Sequence, residues 1–165
     1  MEIKFIPLNT SNFPLLLKWL MTDHVRKWWD QDIAWTAELV AEKYASYTKG
    51  LKGEKPIHAY VFYDNETPIG YIQYYDIHDF PRDTMLPDNL PAKSAALDFY
   101  IGDSDYLHKG YGKATLKAFC EGVVWAQFDA CFVDPESDNY AAIRGYESAG
   151  FKRVNTGVWM AKYRL

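Results

Sequence analysis

The stretch Asn139-Tyr-Ala-Ala-Ile-Arg-Gly-Tyr-Glu-Ser-Ala-Gly-Phe151 decides the fold of this chain. It reads as an amphipathic helix over 139–149, with Gly150 as its stop and the aromatic Phe151 opening a following strand. The helix fixes a phenol, Tyr146, at a predictable place. Upstream lies Leu107-His-Lys-Gly-Tyr-Gly112. Gly110 and Gly112 remove side chains where backbone must approach a ligand, and a helix over 111–123 begins at once. The first turn of such a helix carries unpaired N–H groups and the positive end of the macrodipole, so it suits a pyrophosphate. Lys109 and Lys113 add charge there. The spacing has no third glycine for a dinucleotide fingerprint and no Gly-Lys-Ser/Thr for a Walker loop.

Working outward, 95–101 and 128–133 read as strands on either side of the 111–123 helix, so strands and helices alternate. Two short strands, 151–155 and 158–163, close the chain around Thr156-Gly157. Toward the N-terminus, 3–7 reads as a strand and Ser11 as the cap of a helix over 13–21. Thr36 precedes a second helix that carries Leu39, Val40 and Tyr44 near one face, with Gly50 as its stop. Strands 58–63 and 69–75 flank the turn 64–68 and start an antiparallel meander. Segment 77–93 reads as a loop, because Asp79, Asp83 and Asp88, with Asp76 just before them, accompany Pro81, Pro87 and Pro91.

At 165 residues the chain is long enough for a substantial core and most simply forms one domain. Hydrophobic residues at 48% and charged residues at 24% argue against long disorder. A net charge of −4 without a Lys/Arg-rich run disfavours nucleic acid and favours a small cationic partner. No apolar run approaches the roughly 20 residues that span a bilayer, and the start lacks a signal-peptide core, so a cytoplasmic protein without membrane partners is expected. Cys120 and Cys131 are the two cysteines, and they read as reduced packing thiols. The four histidines have no metal-ligand spacing and read as surface or packing residues.

Asp98 interrupts Ala95-Ala-Leu-Asp-Phe-Tyr-Ile101. Alternation puts it on one side with Ala96 and Tyr100, and Leu97, Phe99 and Ile101 on the other. An ionised carboxylate in so apolar a strand requires partners, an open sheet face or a site.

The glycine turn and the 139–151 segment together resemble the acyl-CoA site of the GNAT N-acetyltransferases. Leu107 stands where that family's loop usually carries Gln or Arg, which leaves the binding to backbone amides. The resemblance implies an α+β fold: a single mixed, mostly antiparallel central sheet with helices on both faces and a V-shaped splay between the two central strands. It implies one GNAT domain over 1–165 with acetyl-CoA as co-substrate, bound between 97–101 and 128–133, and no metal. Backbone near Tyr100 and Ile101 would hold the pantetheine and polarise the thioester carbonyl. Lys109, Gly110, Tyr111, Gly112, Lys113 and Ala114 would hold the pyrophosphate, with Asn139 and Ala142 completing the donor site. Tyr146 would face the sulfur and donate a proton or hydrogen bond as the thiolate leaves.

Smaller features resemble the aminoglycoside 6'-N-acetyltransferases within that family. There, residues matching Asp98 anchor the amine and assist its deprotonation, directly or through water, and residues matching Asp134 make an acidic substrate contact. Gln73 and Tyr75 match a Gln-x-Tyr pair for substrate hydroxyls, and Trp29 of His24-Val-Arg-Lys-Trp-Trp29 matches a wall of the acceptor pocket. The implied activity is direct acetyl transfer to an aminoglycoside amine, conferring antibiotic resistance, by a monomer or homodimer. The alternatives are a siderophore-type N6-hydroxylysine acetyltransferase, which usually resembles this chain with His at position 98, and a noncatalytic acyl-CoA-binding module.

Overall fold

Apolar residues at every second position and a two-residue turn build the first strands, as the sequence leads one to expect. The computed structural model describes residues 1–80, 85–154 and 157–165. Its strands and helices run β1 (Ile3–Pro7), α1 (Phe13–Leu20), α2 (Asp23–Arg26), α3 (Ala37–Tyr44), β2 (Leu51–Lys52), β3 (Lys55–Pro56), β4 (His58–Asp64) and β5 (Thr67–Asp76). Then follow β6 (Ser94–Ile101), α4 (Tyr111–Gly122), β7 (Ala130–Val133), α5 (Tyr140–Ser148), β8 (Lys152–Arg153) and β9 (Met160–Tyr163). The seven-stranded sheet has the order β1-β4-β5-β6-β7-β9-β8, and β2 pairs with β3 apart from it. β6 and β7 run parallel; β1 with β4, β7 with β9 and β8 with β9 run antiparallel. Asn65 and Glu66 alone separate β4 from β5, a connection short enough to join only antiparallel neighbours. The sheet is thus mixed and mostly antiparallel.

The chain divides into two compact units, one of residues 1–73 with 99–109 and one of 74–98 with 110–165. In the first, α1 buries Leu16, Trp19 and Leu20, while α3 buries Val40 and Tyr44. Their companions include an aromatic group: Tyr71 stacks on Tyr100 at 5.6 Å, and Trp29 meets both edge-on at 5.8 and 4.9 Å. Tyr44 joins at 5.7 Å from Tyr71. Lys43 sits 2.5 Å from the Asp30 carboxylate and over the Trp35 and Tyr44 rings.

In the second unit, α4 buries Thr115, Leu116, Phe119 and Cys120, and α5 buries Ile143 and Tyr146. All four β7 residues are buried. The β6–β7 ladder runs from Ser94↔Ala130 to Ala96↔Phe132, while β6 continues to Ile101. Cys120 and Cys131 are buried free thiols. Their mutual hydrogen bond lowers the Cys120 pKa and, with burial, raises that of Cys131.

Several boundaries depart from the sequence reading. The Asn9 side chain, not Ser11, caps the first helical turn, accepting from the Ser11 amide at 2.9 Å while Asn12 returns a bond to the Asn9 amide at 3.0 Å. Asn has the same capping chemistry as Ser, which is why the two are hard to tell apart in sequence. Thr36 does cap α3, but Gly50 closes a separate turn over Tyr47–Lys49 at φ +75°. Phe128 lies before β7, its amide bonded to the Val124 carbonyl at 3.0 Å. The loop 77–93 begins with a short 3-10 turn over Ile77–Asp79. Pro81 and Asp83 in that loop, and Asn155 and Thr156 in the last turn, lie outside the described residues.

Candidate active site

Asp98 emerges half-exposed from an otherwise mostly buried β6. The hydroxyl of Tyr75, on β5, donates to its Oδ2 at 3.1 Å. A carboxylate oriented by a hydrogen-bond donor loses rotational freedom. Phe80 meets the Tyr75 ring edge-on at 4.8 Å and fixes the ring in turn.

Tyr146 lies within electrostatic reach of the same carboxylate. The phenol is buried, and that burial, reinforced by the charges of Asp98 and Asp134, pushes its pKa far above the ordinary tyrosine value. The phenol is therefore neutral at physiological pH, a donor close to two acids. Phe151 packs on its ring at 5.6 Å. Asp134 lies just past β7, half-exposed. The structure thus brings Asp98, Asp134, Tyr146 and Tyr75 into one neighbourhood. Gln73 accepts a hydrogen bond from the Tyr71 hydroxyl at 2.7 Å, two residues along the same face of β5.

Most of the residues expected to hold the acyl donor lie at the starts of α4 and α5. Gly110 takes φ +85° immediately before α4, a conformation that a side chain would strain, and His108 takes φ +59°. Lys109 and Lys113 are exposed, while Tyr111, Gly112 and Ala114 are half-buried on the first turn. Asn139 and Ala142 are bonded to each other: the Asn139 side chain accepts from the Ala142 amide at 3.2 Å as the cap of α5.

Tyr100 and Ile101 differ in direction. A side chain at Gly70 of β5 would meet the Tyr100 carbonyl, and the Gly102 amide donates to the Ile69 carbonyl at 2.8 Å. Peptide groups alternate along a strand, so within this pair Ile101 is the residue whose own N–H and carbonyl turn away from β5. Trp29, a candidate pocket wall, has its indole N–H buried in the aromatic group with Tyr71 and Tyr100.

Two contacts were not legible in the sequence. The Tyr75–Asp98 bond joins residues 23 apart, and a bond from His24 to the Ile101 carbonyl joins residues 77 apart. Both depend on strand register and helix placement, for which no local pattern exists. Among the described residues no three His, Cys, Asp or Glu side chains converge as a metal ion requires. No helix among them is long and apolar enough to cross a membrane.

Residues 9–158 match the model of the acetyltransferase (GNAT) domain family. An aminoglycoside N(6')-acetyltransferase type 1 of Klebsiella pneumoniae is 27% identical over 150 residues, which are 90% of this chain and 73% of that protein. Among solved structures, AAC(6')-Ib in complex with paromomycin and acetyl-CoA superposes with a TM-score of 0.84 at 25% identity, over 99% of this chain and 94% of that one. The same enzyme with coenzyme A and kanamycin gives 0.82 at 25% identity, over 99% and 95%. A match across nearly the whole chain, joined to the parallel β6–β7 pair and the glycine turn before α4, has one consequence: this chain belongs to the GNAT acetyltransferase family.

Proposed function

We propose that the protein is an acetyl-CoA-dependent N-acetyltransferase that acetylates an aminoglycoside amine, the 6'-amine in particular, and so confers antibiotic resistance. The observation that carries this reading is the Tyr75–Asp98–Tyr146 arrangement, an oriented carboxylate beside a neutral phenol. The relatives named above act on aminoglycosides, which supports the choice of acceptor. The 9–158 match spans both units, which supports one acetyltransferase domain over the whole chain.

The residues present fit acetyl-CoA. The α4 amides behind Gly110, with Lys109, Tyr111, Gly112, Lys113 and Ala114, suit its pyrophosphate. Ile101 and the backbone beside it, including Tyr100, suit its pantetheine amides, and Asn139 and Ala142 stand at the start of α5. When bound, acetyl-CoA supplies an activated acetyl group and a sulfur that leaves as a thiolate. The acceptor amine must lose a proton before it can attack, because a lysine-like ammonium with a pKa of about 10.4 has no lone pair. Asp98 binds that ammonium and takes its proton, directly or through water. Tyr146, a neutral phenol, donates a proton or hydrogen bond to the sulfur as the thiolate leaves. Asp134, Gln73, Tyr75 and Trp29 serve the acceptor. Acetylation removes a positive charge and weakens the drug's grip on an anionic target.

The test is thiol release from acetyl-CoA by purified protein offered kanamycin, N6-hydroxylysine and a polyamine in parallel. Turnover confined to kanamycin is expected. Turnover confined to N6-hydroxylysine would give the siderophore-type reading, and acetyl-CoA binding without turnover on any amine would leave a noncatalytic module.

A further inference from the structure

The end of β6 is held by β5 on one edge and by residues of α1 and α2 on other sides. The carbonyl of Ile101 lies 2.9 Å from His24 Nε2, on α2. A carbonyl oxygen can only accept, so Nε2 carries the proton. The same peptide's other end, the Gly102 amide, donates to the Ile69 carbonyl at 2.8 Å. Because a peptide unit is planar, two bonds on opposite ends fix its orientation. The preceding peptide is fixed as well, since the Tyr100 carbonyl lies against Gly70, where any Cβ would collide with it. Trp19 packs against Gly102 so closely that a side chain there would run into the indole, and it meets the Tyr100 ring edge-on at 6.2 Å. Ile101 is therefore set between two immobilised peptide planes, with its own N–H on the edge that faces away from β5.

We infer that His24 is a positioning residue for the acyl donor: its Nε2–H fixes the Ile101–Gly102 peptide and thereby aims the Ile101 backbone at the pantetheine arm. The inference rests on the acyl-donor reading above. His24 belongs to the same hydrogen-bonded run as the tryptophan pair, since the Trp29 amide donates to the Val25 carbonyl at 2.9 Å and the Arg26 amide to the Thr22 carbonyl at 2.9 Å. The segment that carries Trp29 is thus tied to the strand end that carries Ile101.

Three variants separate positioning from bulk packing. Glutamine places its amide nitrogen near where Nε2 stands, asparagine places it near Nδ1, and leucine has no donor. Calorimetric titration with acetyl-CoA should show His24→Leu and His24→Asn binding about ten-fold more weakly than wild type, the worth of one ordinary hydrogen bond, with His24→Gln within about three-fold. In the unliganded wild type, nitrogen-15 NMR should report the Nε2–H tautomer of His24. Equal affinity in His24→Leu, rescue by asparagine as good as by glutamine, or an Nδ1–H tautomer overturns the inference alone. Should His24→Leu fail to fold, the glutamine–asparagine comparison decides it. A wild-type protein that binds no acetyl-CoA overturns the acyl-donor reading and this inference with it.

Discussion

Asp98 stands in a strand of apolar neighbours, and the Tyr75 hydroxyl keeps its carboxylate pointed one way. We expect Asp98→Asn and Tyr146→Phe to fold as wild type and each to lower kcat by roughly ten-fold or more; wild-type rates in both would remove these residues from the chemistry. Tyr75→Phe should instead raise the acceptor KM, by about ten-fold for the loss of one bond to a charged group, with kcat changed less. The phenols offer an independent check. Burial raises the pKa of Tyr44, Tyr100 and Tyr146, and the charges of Asp98 and Asp134 add to the rise at Tyr146. Below pH 10 these tyrosines are neutral in the folded and unfolded chains alike and their contribution to stability is fully present. Above it the unfolded chain ionises them while the fold resists, so stability should fall as pH rises beyond about 10. Absorbance titration should show tyrosines that ionise only on unfolding, and Asp98→Asn should lower the Tyr146 pKa by removing a nearby negative charge.

At the scale of elements, the legible parts were those with local chemistry. The α5 helix was readable because Asn139 caps it and Gly150, at φ +96°, ends it; the αL glycine ahead of α4 was readable for the same reason. What stayed hidden was nonlocal or degenerate. Asn9 and Ser11 are equivalent capping candidates, the β2–β3 hairpin has two residues per strand and no alternation to detect, and His24 gives no hint of a carbonyl 77 residues away. Asp98 was found from its strand, whereas its bond to Tyr75 was not, because cross-strand register is not written in either strand alone. The packing of β6's end makes a further expectation. Gly102→Ala drives a methyl into the Trp19 indole and should destabilise the fold by about 1–3 kcal/mol, measurable by urea denaturation. An unchanged midpoint would mean that Trp19 gives way easily.

At the scale of the molecule, β5 and β6 each pass through both compact units, so neither unit holds a complete copy of either strand. We propose that the chain unfolds in one cooperative step. Trp19, Trp28, Trp29 and Trp35 lie in the first unit and Trp125 and Trp159 in the second, so tryptophan fluorescence and circular dichroism should give coincident urea transitions. Separated transitions would mean independent units. The net charge of −4 belongs to this scale too, since it favours a cationic acceptor over an anionic one. The central claim is that the oriented Asp98 and the neutral Tyr146 serve acetyl transfer to an aminoglycoside 6'-amine. Its most direct measurement is the NMR structure of the product formed from kanamycin and acetyl-CoA: we predict one acetyl group, on the 6' nitrogen, and acetylation at another amine, or none, would contradict it.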